Sequence, residues 1–363
     1  MAGLVAINVI GVVGGLLGIF QFGKDNFADK VGLDVKGGLS NGGGDLPDVR
    51  LWNEAGEFLG MHADPGKLKS GITSDITIKH KDGNGQQPTY ALFSANNGAV
   101  CIAYVSITFP DDNKYAWVAD WAQECKSSAT WYYSNLYVDG GKHQPPCLWI
   151  DGNGDQPQTG FQLHWPEFKS DSNGPPPKNE QKAKIDYLCN SGPPFKLHYS
   201  RDPSSVNYWL PKSKRQAHTR DFPSPISTTQ AYSKNGTLVA RPQTSAPKYI
   251  FTVPSNTAAI KPINATLPAH NPHFNRLVMS DSQNHAARRL FESKTSVGPD
   301  FINVAEGIFC CMTSKKTYPI CGPGNEDSCF NLEIKSLVFG GKAARDTPYT
   351  GTVDWTSSTS FKA

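Results

Sequence analysis

Eight cysteines constrain this chain more than any other feature, because of the way they divide. Cys101, Cys125, Cys147 and Cys189 lie together, and Cys310, Cys311, Cys321 and Cys329 crowd towards the C-terminus. An even set in each half suits two modules, each stapled by its own disulfides, in an oxidising compartment. No C-x-x-C pair occurs, and the C-C-x9-C-x7-C spacing matches no common zinc site. In an extended strand Cys310 and Cys311 point to opposite faces, so they do not bond each other. Their expected partners are Cys321 and Cys329, in either order.

Stapling is what a loop-rich β protein needs, and the composition describes one. The 363 residues include 34 glycines and 27 prolines, and only 18% are charged. That excess of turn formers opposes long helices and favours short strands. The net charge of +3 is too small to imply nucleic acid, and no basic stripe interleaved with aromatics is present.

Four segments follow from the pattern. Residues 1–24 form a hydrophobic segment, because Leu4–Phe22 carries no charge over nineteen residues, about the length of a membrane span. Gly11, Gly14, Gly15 and Gly18 make two interleaved G-x-x-x-G pairs, a face on which another helix approaches closely. A cleaved leader would begin with a basic residue and end in a small-x-small site, and neither occurs. A membrane-anchoring or self-associating helix and a helix buried in the protein's own core remain as competing readings.

Residues 25–195 read as an antiparallel sandwich or jelly roll. Short strand signals recur at Val49–Trp52, Glu57–Met61, Asp75–Lys79, Tyr90–Phe93, Val100–Phe109, Tyr115–Val118, Trp131–Tyr133, Cys147–Ile150 and Phe161–Trp165. Residues 196–264 are a basic, proline-rich linker: between Arg201 and Lys248 eight Lys or Arg face Asp202 and Asp221. It offers a processing site at Lys214-Arg215 and glycosylation sequons at Asn235 and Asn264. Residues 265–363 form a small cysteine-rich α+β module, with a helix over His285–Glu292 capped by Ser280 or Asp281, a strand pair in Phe301–Met312, and a strand at Leu332–Phe339.

The stretches GGDLPDVRLWNEAGEFLG (43–60), CLWIDGNGDQPQTGFQLHWPEF (147–168) and SKTSVGPDFINVAEGIFCCM (293–312) resemble a family of uncharacterised proteins from filamentous ascomycete fungi. The resemblance covers both folded modules and fades in the linker. It implies a secreted or surface habit and no particular activity. It also implies a cysteine where Phe291 stands and a single one at 310–311, so that Cys311 departs from the family pattern.

Four constellations bear on chemistry. Asp151, Asn153 and Asp155 present side-chain oxygens at alternating positions, as calcium loops do, but Gln156 and Gln162 stand where an EF-hand needs glycine and glutamate. An Asn/Asp/Gly turn explains them as well, with a single structural Ca2+ as the metal alternative. Trp52, Trp117, Trp121, Trp149 and Trp165 read as core, whereas three bulky rings in succession at Trp131, Tyr132 and Tyr133 suggest an exposed stacking platform for a glycan. Glu167, beside Trp165, and Asp120, beside Trp121, are candidates by neighbourhood alone for the two opposed carboxylates that a glycoside hydrolase needs, with ordinary surface acids as the competing reading. His270 and His273 are kept from a helical ligand pair by Pro272, and His285 lies beyond them. No G-x-S-x-G elbow, P-loop or H-E-x-x-H occurs.

The expected function is therefore non-enzymatic: a secreted or surface protein, possible homo-oligomer, binding a glycan or another protein. The alternatives are a membrane-active effector that oligomerises through its glycine face, and a carbohydrate-active enzyme.

Overall fold

A computed structural model describes residues 31–37, 42–69, 73–81, 86–108, 114–125, 129–136, 144–168, 178–209, 231–232, 273–344 and 349–356. Gly11, Gly14, Gly15, Gly18, Lys214, Arg215, Asn235, Asn264 and His270 lie outside them. Among the described residues no helix is long and apolar enough to cross a membrane.

The protein is mainly β, and its first module is a sandwich of two antiparallel sheets. One sheet runs in the order Trp131–Tyr133, Pro146–Ile150, Val100–Thr108, Val31–Gly37 and Thr73–Ile78, with Lys114–Val118 also on Val100–Thr108. The other runs Phe195–His198, Gly160–His164, Tyr90–Ser94, Asp48–Trp52 and Phe58–His62. Between them lies a core of Val49, Leu51, Phe93, Val100, Ile102, Val105, Trp117, Leu148, Ile150, Phe161 and Leu163.

Val100–Thr108 and Pro146–Ile150 of the first sheet are apolar on both faces, and the structure gives the reason: both faces are covered. Cys101, Ala103, Cys147 and Trp149, which alternate with the sandwich core, look the other way. The alternation slips at Tyr104, which shares the face of Ala103, at the point where the register against Val31–Gly37 shifts by one residue.

That second face packs on the C-terminal module. There Lys316–Pro319, Ile308–Cys311, Asp300–Asn303, Arg276–Ser280 and Gly351–Asp354 form one sheet, whose last two pairings are parallel. A smaller sheet, Cys329–Asn331, Ser336–Phe339 and Lys342–Ala343, covers its far side. Among the described residues three α-helices complete the fold: α1 (Asp120–Glu124), α2 (Lys178–Asn190) and α3 (Ala287–Glu292). α3 begins two residues later than expected, and neither Ser280 nor Asp281 caps it. Glu306 accepts the Ala287 N–H at 2.7 Å instead.

The first module extends beyond residue 195 to Trp209. Residues 203–209 lie on the outer face of the second sheet, where Arg50 and Ser94 both donate to the Pro203 carbonyl and Tyr90 accepts the Trp209 N–H.

Three disulfides form: Cys101–Cys147, Cys125–Cys189 and Cys321–Cys329. The C-terminal pairing corrects the expectation, since Cys310 and Cys311 are free. Cys310 turns into the core shared by the two modules and Cys311 into the core beneath the small sheet, so the opposite facing that keeps them apart also takes each away from the Cys321–Cys329 loop. Phe291 packs into the same core as Cys310. Burial pushes the Cys310 thiol up to about 12. Titration of the denatured, unreduced protein is expected to find two thiols, with Cys311, the half-buried one, modified first in the native state. A count of none or of all eight would overturn this pairing.

Candidate functional site

The three aromatic rings expected at the surface are all buried. Trp131 is 3% exposed, Tyr132 0% and Tyr133 3%. Three successive rings can be covered because their strand is an edge strand on which residues 293–299 are laid. Trp131 bridges Ser296, its N–H donates to the Thr295 carbonyl, and its own carbonyl accepts the Val297 N–H. Each polar tip is satisfied across the seam: Trp131 Nε1 by Ser293 Oγ at 3.1 Å, the Tyr132 hydroxyl by the Pro299 carbonyl at 2.9 Å, the Tyr133 hydroxyl by the Ala286 carbonyl at 2.8 Å. The Tyr132 ring also needs Gly298, where a Cβ would come within 2.3 Å of it. The platform is therefore the seam between the modules, its rings covered by the second module and not presented as an open stacking surface.

The seam leaves an open groove of about 670 Å³ at its α1–α3 edge. Ala122 and Gln123 of α1 form one wall, Arg288, Arg289 and Glu292 of α3 the other, and Lys294, Thr295 and Glu306 complete the rim. The Arg289 guanidinium lies 5.9 Å from the Trp131 ring centroid and donates to the Gln123 side chain, so it ties the two modules together. The Glu306 carboxylate is committed to the start of α3. Arg288 and Lys294, both exposed, keep their charges directed to solvent. Sequence reasoning missed these residues because HAARRLFESK reads only as a solvated helix. Its one signal was the density of cations at 288, 289 and 294.

A second polar cluster stands at the far side of the first module. His164, 4% exposed, ends the Gly160–His164 strand with its ring stacked on Tyr90, the centroids 4.2 Å apart. Its Nε2 meets Glu54 Oε2 at 2.8 Å, and its Nδ1 lies 3.4 Å from Glu167 Oε1. Tyr187 of α2 donates to the same Glu167 oxygen at 2.7 Å. Burial alone would push the imidazole down, but the hydrogen bonds and charges of Glu167 and Glu54 more than reverse it, and His164 sits above its ordinary value. Burial works on Glu167 in the opposite sense and is likewise overcome by His164 and Tyr187, which leaves its carboxyl below the usual range. The carboxylate across from Glu167 is thus Glu54, on a hairpin tip, not Asp120, which opens α1.

The Asp151 loop is a turn. Asp151 Oδ2 accepts the backbone N–H groups of Gly154 and Asp155 at 2.9 and 2.6 Å, and Asn153 Oδ1 accepts that of Asp155 at 3.0 Å. The oxygens that a calcium ion would use are partly spent on the backbone. His273 stacks on Trp149, and His285 lies between Ser280 Oγ and the Ser134 carbonyl, so these histidines occupy separate places. Among the described residues no group of three or more His, Cys, Asp or Glu side chains is placed to hold a metal.

No protein-family model matches the chain, and no curated protein matches it. Two solved structures of LOX variants are similar over 30% and 29% of this chain, at 13% and 14% identity and a TM-score of 0.21 each. The chain covers 22% and 21% of those proteins, and a likeness at that TM-score carries no argument about fold or function.

Proposed function

We propose that this is a non-enzymatic secreted or cell-surface protein that binds an acidic glycan in the groove between its modules. The three disulfides support an oxidising compartment. The observation that carries the ligand class is the charge of the groove: Arg288, Arg289 and Lys294 face Glu292 and a Glu306 already committed to α3. Guanidinium and ammonium groups on an open rim suit the carboxylates or sulfates of a polyanionic sugar chain.

Calorimetry with oligogalacturonate as the acidic probe and cellooligosaccharide as the neutral one tests this. The acidic oligomer is expected to bind at least tenfold more tightly, with an affinity that falls as salt rises. Arg288→Ala combined with Lys294→Ala is expected to weaken binding about tenfold, or ~1.4 kcal/mol, without changing the melting temperature. Equal affinity for both oligomers, or an unaffected double variant, would sink the proposal.

A further inference from the structure

The Glu54–His164–Glu167 cluster does something that groove binding does not require. It joins the hairpin tip, the 3-10 turn and, through Tyr187, α2. Glu54 belongs to the tip of the hairpin between Asp48–Trp52 and Phe58–His62, a tight turn in which Asn53 Oδ1 accepts the N–H groups of Ala55 and Glu57. Gly56 in that turn has φ +78°, and a Cβ there would lie 2.8 Å from the Tyr208 ring. The hairpin tip is therefore seated against Tyr208, whose neighbour Trp209 stacks on Tyr187 at 5.9 Å. Glu167 comes from the 3-10 turn Trp165–Phe168 and Tyr187 from α2.

We propose that His164 is a proton-operated latch. Charged, it holds the Glu54 hairpin tip against the Glu167 turn and so against the Tyr208–Trp209 segment; neutral, it leaves two carboxylates facing one another across an uncharged ring and releases the tip. The exposures fit that division of labour. His164 and Glu167 are 5% and 23% exposed at their side chains and stay in place, whereas Glu54 is 50% exposed and has solvent to move into. The groups that face the imidazole from the elements around it are Glu54 on the hairpin, Glu167 on the 3-10 turn, Tyr187 on α2 and Tyr90 on the adjacent strand. Burial and the nearby carboxylates raise both tyrosine hydroxyls, so neither supplies a competing charge in this range. The sign follows: the latch is closed below His164's raised titration point and opens as pH rises through it.

The test is hydrogen exchange of the full chain between pH 6 and 9, corrected for intrinsic base catalysis, alongside NMR titration of the His164 ring. Protection of the 54–57 amides is expected to fall at least tenfold with the same midpoint as the ring. In Glu54→Gln, a change at a half-exposed position, the midpoint moves to lower pH. His164→Gln is expected to exchange rapidly at the hairpin at every pH, and Glu54→Gln keeps the test decisive if that variant does not fold. Hairpin protection that stays constant while His164 titrates, or a ring that does not titrate above its ordinary value, would overturn the proposal.

Discussion

Replacing Phe301 by alanine is expected to lower the unfolding free energy of the whole chain by about 3–5 kcal/mol, and to loosen the first module as much as the second. Phe301 belongs to the C-terminal sheet and is 0% exposed. Its neighbours come from both sides of the seam. Tyr132 and Tyr133 of the first module lie at ring-centroid distances of 6.2 and 5.6 Å, and His285 and Trp355 of the second at 6.3 and 6.4 Å. Close-packed interiors do not collapse around a lost ring, so the vacancy is felt by every neighbour. Denaturant unfolding followed by tryptophan fluorescence and far-UV circular dichroism should give one coincident transition, displaced as a unit. Val304→Ser, at a side chain 39% exposed on the adjoining turn, should stay within about 0.5 kcal/mol of the parent. Two separated transitions, with the first module's unchanged in Phe301→Ala, would show the modules to be independent.

The shared core also explains which parts of this protein were legible in its sequence. Alternation and turn residues located the strands of the sandwich, and Val100–Thr108 was apolar on both faces, as the middle layer of a stack requires. What covers its second face was not legible, because the covering residues stand some 170 positions away in sequence (Trp131 against Ser296, Tyr132 against Pro299). Without that contact, three adjacent rings looked like a surface platform. The same limit hid the His164 cluster. Glu167 drew attention through its neighbour Trp165, but its partner Glu54 lies in a hairpin tip that reads only as a turn, and the pair exists only because the sheet brings Asp48–Trp52 and Gly160–His164 to either side of Tyr90–Ser94. The expected pairing of Cys310 and Cys311 with Cys321 and Cys329 fails for a related reason: two adjacent cysteines divide between two cores that the sequence does not announce.

Acidification from pH 7 to pH 4 is expected to weaken the native state by about 3 kcal/mol more in the parent than in His285→Gln. His285 is 1% exposed and lies in the seam, its ring stacked on Tyr133 with centroids 4.8 Å apart. Its Nδ1 pairs with Ser280 Oγ at 2.8 Å and its Nε2 with the Ser134 carbonyl at 3.1 Å, which fits a neutral ring that accepts from the hydroxyl and donates to the carbonyl. Burial pushes its pKa down to about 4, against the opposing pull of the Ser134 carbonyl. Because the folded value lies below the ordinary 6.5, the native state resists a proton that the unfolded chain accepts. The stability this represents is fully present above pH 6.5 and drains away as pH falls towards 4. His273, stacked on Trp149 and also lowered to about 4 by burial and by Arg276, adds to the same slope. His164 acts in the opposite sense, since its raised value makes it a stabilising group in acid and a lost one in alkali. Guanidinium unfolding of parent and variant at pH 7, 6, 5 and 4 separates the contribution, because carboxylates common to both proteins cancel in the comparison. Parallel pH profiles for the two proteins would mean that the seam tolerates a charged imidazole, and that acid acts elsewhere in the fold.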